Sequence, residues 1–388
     1  MPSGNMPRSL RATMLRTADL DYDLPPDRIA TRPVSPRDAA RLMVIHRDTP
    51  DEPRHHHIRD LPTLLSPGDL LVVNRSRVIP ARFLGHWLDT GGHIEGLYVD
   101  STPDGHWRVM LKARRFRHGA PIVLLDRHGQ RSDIQLTLLH RDEGDATLWH
   151  VTASDGAAPA SAIEMLERVG RTPLPPYIRA RRKTEHADID DADDRDRYQT
   201  VYAGEAGSVA APTAGLHFTP ALLDRLAVAG IGRADVTLHV GLGTFKPVET
   251  EFIEQHPMHA EWCSMPEATA TAIQSTHEHG GHVIAVGTTA ARTLESLALD
   301  VADHQDTRHG VADYPKTGHP TSLLITPGHQ WRSTDALLTN FHLPRSTLMA
   351  MVSAMLPGGA PQLIRLYTHA IREGYRFYSY GDAMLILP

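Results

Sequence analysis

The sequence predicts an α/β protein: a large, mainly parallel sheet covered by helices, with an antiparallel β-barrel inserted into it. Three observations carry this prediction. The C-terminal part repeats a strand-then-helix rhythm, which requires parallel strands joined by crossovers. Residues 75–151 instead show short apolar runs broken by Gly, Pro and Asp turns at spacings of about 8–12 residues, the pattern of a small barrel or sandwich. The length of 388 residues exceeds what one simple core supports. The expected division is an α/β domain made of residues 14–74 and 155–388, a barrel made of residues 75–154, and a disordered leader over residues 1–13.

The elements follow in order. Pro25 and Pro26 in DYDLPPDRIA (21–30) force extended or turn backbone. LMVIHR (42–47) reads as a strand, and LPTLLSPGDLLVVN (61–74) as a short helix, a Pro67-Gly68 turn and a strand. The barrel strands are RVIPARFLGHWL, HIEGLYV, HWRVMLKA, PIVLLD, SDIQLTLLH and ATLWHVTA. The acidic run over 184–196 reads as a solvated loop, and 301–320 as a polar excursion from the sheet. SVAAPT (208–213) reads as a strand. Thr219 then caps a helix that begins at Pro220 and ends at Gly230. ADVTLHVG (234–241), HVIAVG (282–287) and ALLTNF (336–341) read as strands. Helices follow Pro266, Gly287 and Ser346, and a last one closes at Gly374.

Composition excludes several classes. No apolar run approaches the roughly 18 residues that span a bilayer. The N-terminus, MPSGNMPRSLRAT, has arginines but no apolar core, so it is not a secretory signal, and Met14 is an alternative start. A lone cysteine, Cys263, excludes a disulfide framework and a cysteine zinc site, and fits a reducing cytoplasm. With net charge −6, any nucleic-acid contact must come from local basic patches.

In open α/β sheets, ligands bind beyond the carboxyl ends of the strands. Four strand ends deliver polar residues there: Thr213, Gly215 and His217; His239, Gly241, Gly243 and Thr244; Gly287, Thr288, Thr289 and Arg292; and Asn340, His342, Arg345 and Ser346. HPMHAEW (256–262) adds His256, His259, Glu261 and Trp262. Each piece has an ordinary alternative. Thr288 serves as a helix cap as readily as it binds a carboxylate, and His259 and Glu261 form a salt bridge as readily as a catalytic pair. Clustered His and Arg are the informative part. HExxH, Walker, GxSxG and GxGxxG motifs are absent, and no metal ligand set is recognised. Basic patches lie at Arg75, Arg77 and Arg82, at Arg114, Arg115 and Arg117 around Phe116, and at Arg179, Arg181 and Arg182. They suit phosphates or plain solubility equally well.

At these residues the sequence resembles a known family, the S-adenosylmethionine:tRNA ribosyltransferase-isomerases of queuosine biosynthesis. The matching segments include DYDLPPDRIA, GDLLVVNRSRVIPARFLG, GRTPLPPYIR, RYQTVYA, GSVAAPTAGLHF, VTLHVGLGTFKPV, HPMHAEW, VIAVGTTAART, ALLTNFHLPRSTLMAMVSA and EGYRFYSYGDAMLI. They run from about Leu15 to the C-terminus. GTTAART and ITPGHQW depart locally from the family pattern. The resemblance implies a cytoplasmic bacterial enzyme, monomeric, that consumes S-adenosylmethionine as a co-substrate and needs no metal or membrane. It implies tRNA carrying 7-aminomethyl-7-deazaguanine as acceptor, epoxyqueuosine in tRNA as product, and adenine and methionine as leaving products. Such chemistry needs a base for the C5′ hydrogens and an acid for the departing adenine, roles that histidine fills near neutral pH. The expected acid–base groups are His217, His239 and His259, with Glu261 orienting one of them. Thr288, Thr289 and Arg292 are expected at the methionine carboxylate. A methyltransferase using the same co-substrate, or a module that only binds tRNA, are the alternatives.

Overall fold

A computed structural model of the chain describes residues 14–112, 116–156, 160–187, 193–241, 248–303 and 318–388. The expected leader, residues 1–13, lies outside them. In the N-terminal half the strands are β1 (Arg41–His46), β2 (Arg54–His57), β3 (Leu70–Asn74), β4 (Arg77–Val78), β5 (Arg82–Trp87), β6 (His93–Ser101), β7 (Trp107–Lys112), β8 (Pro121–Leu125), β9 (Arg131–Arg141) and β10 (Leu148–Ser154). The rest are β11 (Ala206–Ser208), β12 (Gly232–Leu238), β13 (Glu261–Ser264), β14 (Val283–Val286), β15 (His319–Thr321), β16 (Ala336–Asn340) and β17 (Ala383–Leu387). Helices of eight or more residues are α1 (Ala162–Val169), α2 (Pro176–Thr184), α3 (Pro220–Val228), α4 (Glu267–Glu278), α5 (Thr288–Asp303), α6 (Thr347–Met355) and α7 (Gly359–Arg372).

The chain divides into two compact units. The first comprises residues up to Ser76, Thr200–Ala203 and Pro212–Pro388. It holds a nine-stranded sheet in the order β15-β13-β12-β3-β14-β16-β17-β1-β2. The neighbours β12-β3, β3-β14, β14-β16 and β17-β1 are parallel, and the other pairs are antiparallel. The sheet is therefore mixed, with its parallel strands at the centre. The central runs are apolar on both faces. Leu71, Val73, Ile284, Val286 and Leu338 pack with Phe218, Leu222 and Leu226 of the α3 region, while their alternates Val72, Ala285 and Leu337 are fully buried too. Burial on both faces is what continuous, non-alternating runs encode. The sheet edges are β2, sequence RHHH, and β15, sequence HPT. Among the described residues no single helix is long and apolar enough to cross a membrane.

The second unit comprises Arg77–Gln199 and Gly204–Ala211. Its six strands close as β10-β7-β6-β5-β8-β9. Phe83, Val109, Ile134, Leu136, Leu138 and Val151 fill the inside with no exposed surface. Gly96 on β6 is required there, because a Cβ would meet the Phe83 ring at 2.1 Å. This unit extends past the expected boundary at residue 154. The chain after β10 stays on it: Arg171 and Arg82 exchange backbone hydrogen bonds (2.6 and 3.2 Å). Helix α1, opened by a Ser161–Glu164 capping box, also packs on β5 and β9.

SVAAPT is not a sheet strand. Its first residue ends the three-residue β11, which pairs with β4, and Thr213–His217 form a 3-10 turn after Pro212. Pro212 offers no N–H to a ladder. Thr219 caps α3 as its sequence predicts, accepting from the Leu222 N–H at 3.1 Å.

Candidate active site

Strands β12, β3, β14 and β16 are adjacent and parallel, so their carboxyl ends share one edge. That edge receives His239 after β12, Asn74 at the end of β3, Gly287 to Thr289 after β14, and Asn340 at the end of β16. Asn74 is the tie among them. Its amide donates to the Leu238 carbonyl (3.0 Å) and Thr289 Oγ1 (3.2 Å), and its oxygen accepts from the Leu238 and Ser76 N–H groups (3.1 and 3.0 Å). Gly287 sits at φ +91 between β14 and α5, a conformation that suits glycine. Its N–H donates to the Leu338 carbonyl at 2.7 Å, which locks the start of α5 onto β16.

A cleft of about 480 Å³, counting space open to solvent, lies beside this edge. His256, Met258, His259, Glu261, Thr288, Thr289, Arg292, Thr347 and Leu348 line it. Glu261 and Arg292, both buried, form an ion pair inside it. Glu261 also accepts the Gly241 N–H at 2.7 Å. Burial pulls the Arg292 pKa down to about 10, and it stays a cation beside its carboxylate partner. Its Nε is buried without a hydrogen-bond partner among the described residues. Glu261 therefore pairs with Arg292, and His259 is exposed on the cleft wall. His239 is half-buried and stacks on Trp262 with ring centroids 5.3 Å apart.

His217 lies deeper. It is buried, and its Nε2 is 3.2 Å from the Asn340 amide. Burial lowers its pKa to about 4, so it is neutral at physiological pH. Asn340 is fixed in turn by the Tyr378 carbonyl (3.2 Å), and its Oδ1 is buried without a partner among the described residues. His342 is also buried, with its pKa pulled down to about 3 by desolvation. Its Nε2 meets Thr339 Oγ1 at 2.7 Å, and its backbone N–H donates to the Tyr367 hydroxyl at 3.0 Å. Gly215, in the turn carrying His217, permits a close approach: a Cβ there would meet the Tyr202 hydroxyl at 2.1 Å. Thr213 is half-buried at the start of that turn.

Other expected site residues sit elsewhere or serve structure. Ser346 caps α6, accepting from the Met349 N–H at 3.3 Å. Arg345 is exposed and paired with Asp21. Gly243 and Thr244 lie outside the described residues, as do Arg114 and Arg115. Among the basic residues, Arg182 is not available to an RNA: it is fully buried in a two-pronged pair with Asp194. Arg179 pairs with Glu95 at 2.6 Å, Arg181 with Glu185 at 2.6 Å, and Arg117 with Asp89. Arg82 is buried against Glu95. Arg77 is exposed and Arg75 half-buried. Sequence reasoning did not single out Asn74 or Asp382. Asn74 had a signal, an amide closing an otherwise apolar strand. Asp382 is a buried carboxylate that accepts the Arg41 and Arg376 N–H groups at 3.0 and 2.8 Å.

Comparison with known proteins adds to this geometry. The sequence profile described as "Queuosine biosynthesis protein" matches residues 17–386. The S-adenosylmethionine:tRNA ribosyltransferase-isomerase of Synechococcus elongatus is 46% identical over 372 residues, 95% of each chain. That of Moorella thermoacetica is 44% identical over 374 residues, 96% of this chain and 100% of its own. The crystal structure of S-adenosylmethionine tRNA ribosyltransferase from Thermotoga maritima matches at 31% identity and a TM-score of 0.49, over 95% of this chain and 100% of that one. With near-complete coverage on both sides, this chain belongs to the queuosine biosynthesis protein family.

Proposed function

We propose that the chain transfers and isomerises the ribosyl group of S-adenosylmethionine onto the aminomethyl group of 7-aminomethyl-7-deazaguanine at the tRNA wobble position, leaving epoxyqueuosine in tRNA. Family membership supports the reaction class. The observation that carries the site is the buried Glu261–Arg292 pair at the start of α5, in a cleft at the carboxyl edge of parallel strands. The residues suit such a co-substrate. Arg292 offers its orphaned Nε to a carboxylate, and Thr288 and Thr289 stand at the positive end of the sixteen-residue α5. The faces of Trp262 and His239 suit a sulfonium. When bound, S-adenosylmethionine supplies the ribosyl carbons and both leaving products.

The chain's own residues divide the remaining work. Glu261 holds Arg292 charged and in place, and so acts as a positioning residue. Neutral His217, with Asn340 beside its Nε2, can accept a proton without first losing one. His259 stands exposed at the cleft wall. Incubation with S-adenosylmethionine and tRNA carrying the aminomethyl precursor, followed by nucleoside analysis, tests the proposal. The expected products are epoxyqueuosine in tRNA, adenine and methionine. S-adenosylhomocysteine in place of adenine would mean methyl transfer, and no new nucleoside would leave only binding.

A further inference from the structure

Asn74 holds one hydroxyl of the candidate site in a single orientation. Its amide cannot be turned over. The Ser76 and Leu238 N–H groups only donate, so the atom they approach at 3.0 and 3.1 Å is the amide oxygen. The Leu238 carbonyl only accepts, so the atom 3.0 Å from it is the amide nitrogen. One amide proton goes to that carbonyl, and the other points to Thr289 Oγ1 at 3.2 Å. The donors and the acceptor of this side chain are thereby used, and Asn74 has no exposed surface.

The direction of the last bond decides what Thr289 can do. Its oxygen accepts from Asn74, so its own proton must leave the other way. Among the described residues no group accepts that proton. Thr289 is half-buried and lines the cleft in the first turn of α5. A free hydroxyl rotates to donate or accept, whereas this one is turned to donate. Arg292, three residues on and so on the same helix face, lines the same cleft with its buried Nε lacking a partner among the described residues. Two donors near the positive end of one helix thus meet an anionic acceptor better than any other group.

We propose that Asn74 is a positioning residue, which turns the Thr289 hydroxyl proton toward the carboxylate of S-adenosylmethionine that Thr289 and Arg292 bind together. The inference rests on the reading that this cleft takes S-adenosylmethionine. It also orients the co-substrate: the ammonium group next to that carboxylate has only protons to offer and is turned away from the pair.

The test is calorimetric binding, without tRNA, of S-adenosylmethionine and of decarboxylated S-adenosylmethionine to the full chain. Wild type, Thr289→Ser, Thr289→Val, Asn74→Asp and the Asn74→Asp, Thr289→Val double variant are compared. A hydrogen bond to a charged group corresponds to about 10- to 150-fold in affinity. Thr289→Val should lose that factor for S-adenosylmethionine and bind the decarboxylated compound as wild type does, and Thr289→Ser should keep wild-type affinity for both. In Asn74→Asp the new oxygen accepts the Thr289 proton and turns it from the cleft, so the same selective loss is expected. Because Asn74 acts through Thr289, the double variant should bind no more weakly than Thr289→Val alone. A role in the fold alone would weaken both compounds and add to the Thr289→Val loss. Asn74→Ala, which frees the hydroxyl to rotate, stands in if thermal melting shows Asn74→Asp unfolded, with the same non-additivity expected. Wild-type affinity for S-adenosylmethionine in Thr289→Val or in the Asn74 variant, or equal losses for both compounds, overturns the proposal. Turnover of precursor tRNA is scored separately. The KM for S-adenosylmethionine should rise in Thr289→Val with kcat little changed, since the carboxylate is held alike before and during the reaction. Wild type that binds with the predicted losses yet makes no epoxyqueuosine keeps the role of Asn74 and removes the catalytic reading, and turnover with unaltered binding in the variants does the reverse.

Discussion

Replacing Glu261 by glutamine isolates the feature on which the catalytic reading leans most. The substitution keeps the shape and the acceptor for the Gly241 N–H, now held at 2.7 Å, but removes the charge. Arg292 is only 7% exposed and would be left as a buried cation without its partner. Breaking a buried pair from one side costs about 3–5 kcal/mol. With a urea m-value of about 3 kcal/mol/M, the unfolding midpoint of the α/β unit should fall by roughly 1–1.7 M. Glu261→Leu with Arg292→Met removes both charges, and such replacements are often neutral or stabilising. That double variant should recover most of the midpoint while making no product, because the guanidinium proposed to bind the carboxylate is gone. Urea titration by circular dichroism reads the first effect, and nucleoside analysis reads the second. A midpoint unchanged in Glu261→Gln, or turnover restored in the double variant, would refute the assignment.

Other outcomes follow from the same geometry. His217 and His342 have folded-state pKa values near 4 and 3 against 6.5 unfolded, so the unfolded chain takes up protons first as pH falls. The stability they contribute is whole above about pH 6.5 and shrinks below it, by about 1.4 kcal/mol per pH unit for each residue down to its folded value. His217→Gln should flatten that acid loss in pH-dependent urea titrations. Gly215→Ala drives a Cβ to 2.1 Å from the Tyr202 hydroxyl, so a loss of about 1–3 kcal/mol is expected in the same assay. Ser346→Ala removes the cap of α6 and should cost about 1 kcal/mol, visible in thermal melting.

Much of this was legible in residue order. The strand-then-helix rhythm marked the α/β unit, and turn residues marked the barrel strands. Thr219 and Ser346 carry their capping role in their side chains. Pairings across the sheet were not legible, because strand order is set by tertiary packing and not by local pattern. Glu261 and His259 lie two residues apart, which suggested a pair. The ion pair that no spacing shows, with Arg292, forms because β13 runs antiparallel beside β12 while α5 starts from β14. Arg182 sits among basic neighbours and reads as surface, and only the Asp194 carboxylate packed against it reveals why a cation there is buried. The polar RHHH stretch gives no strand signal by apolar alternation, yet it pairs with β1 as β2.

That stretch also settles how the large sheet stops. Its outermost strands are four and three residues long. A passing strand from another chain would find few unpaired backbone groups at either margin. At one, the imidazoles of His55, His56 and His57 and the guanidinium of Arg54 crowd the backbone, and at the other Pro320 lacks an N–H to give. The apolar interior that positions the candidate site is thereby kept from serving as a template for aggregation.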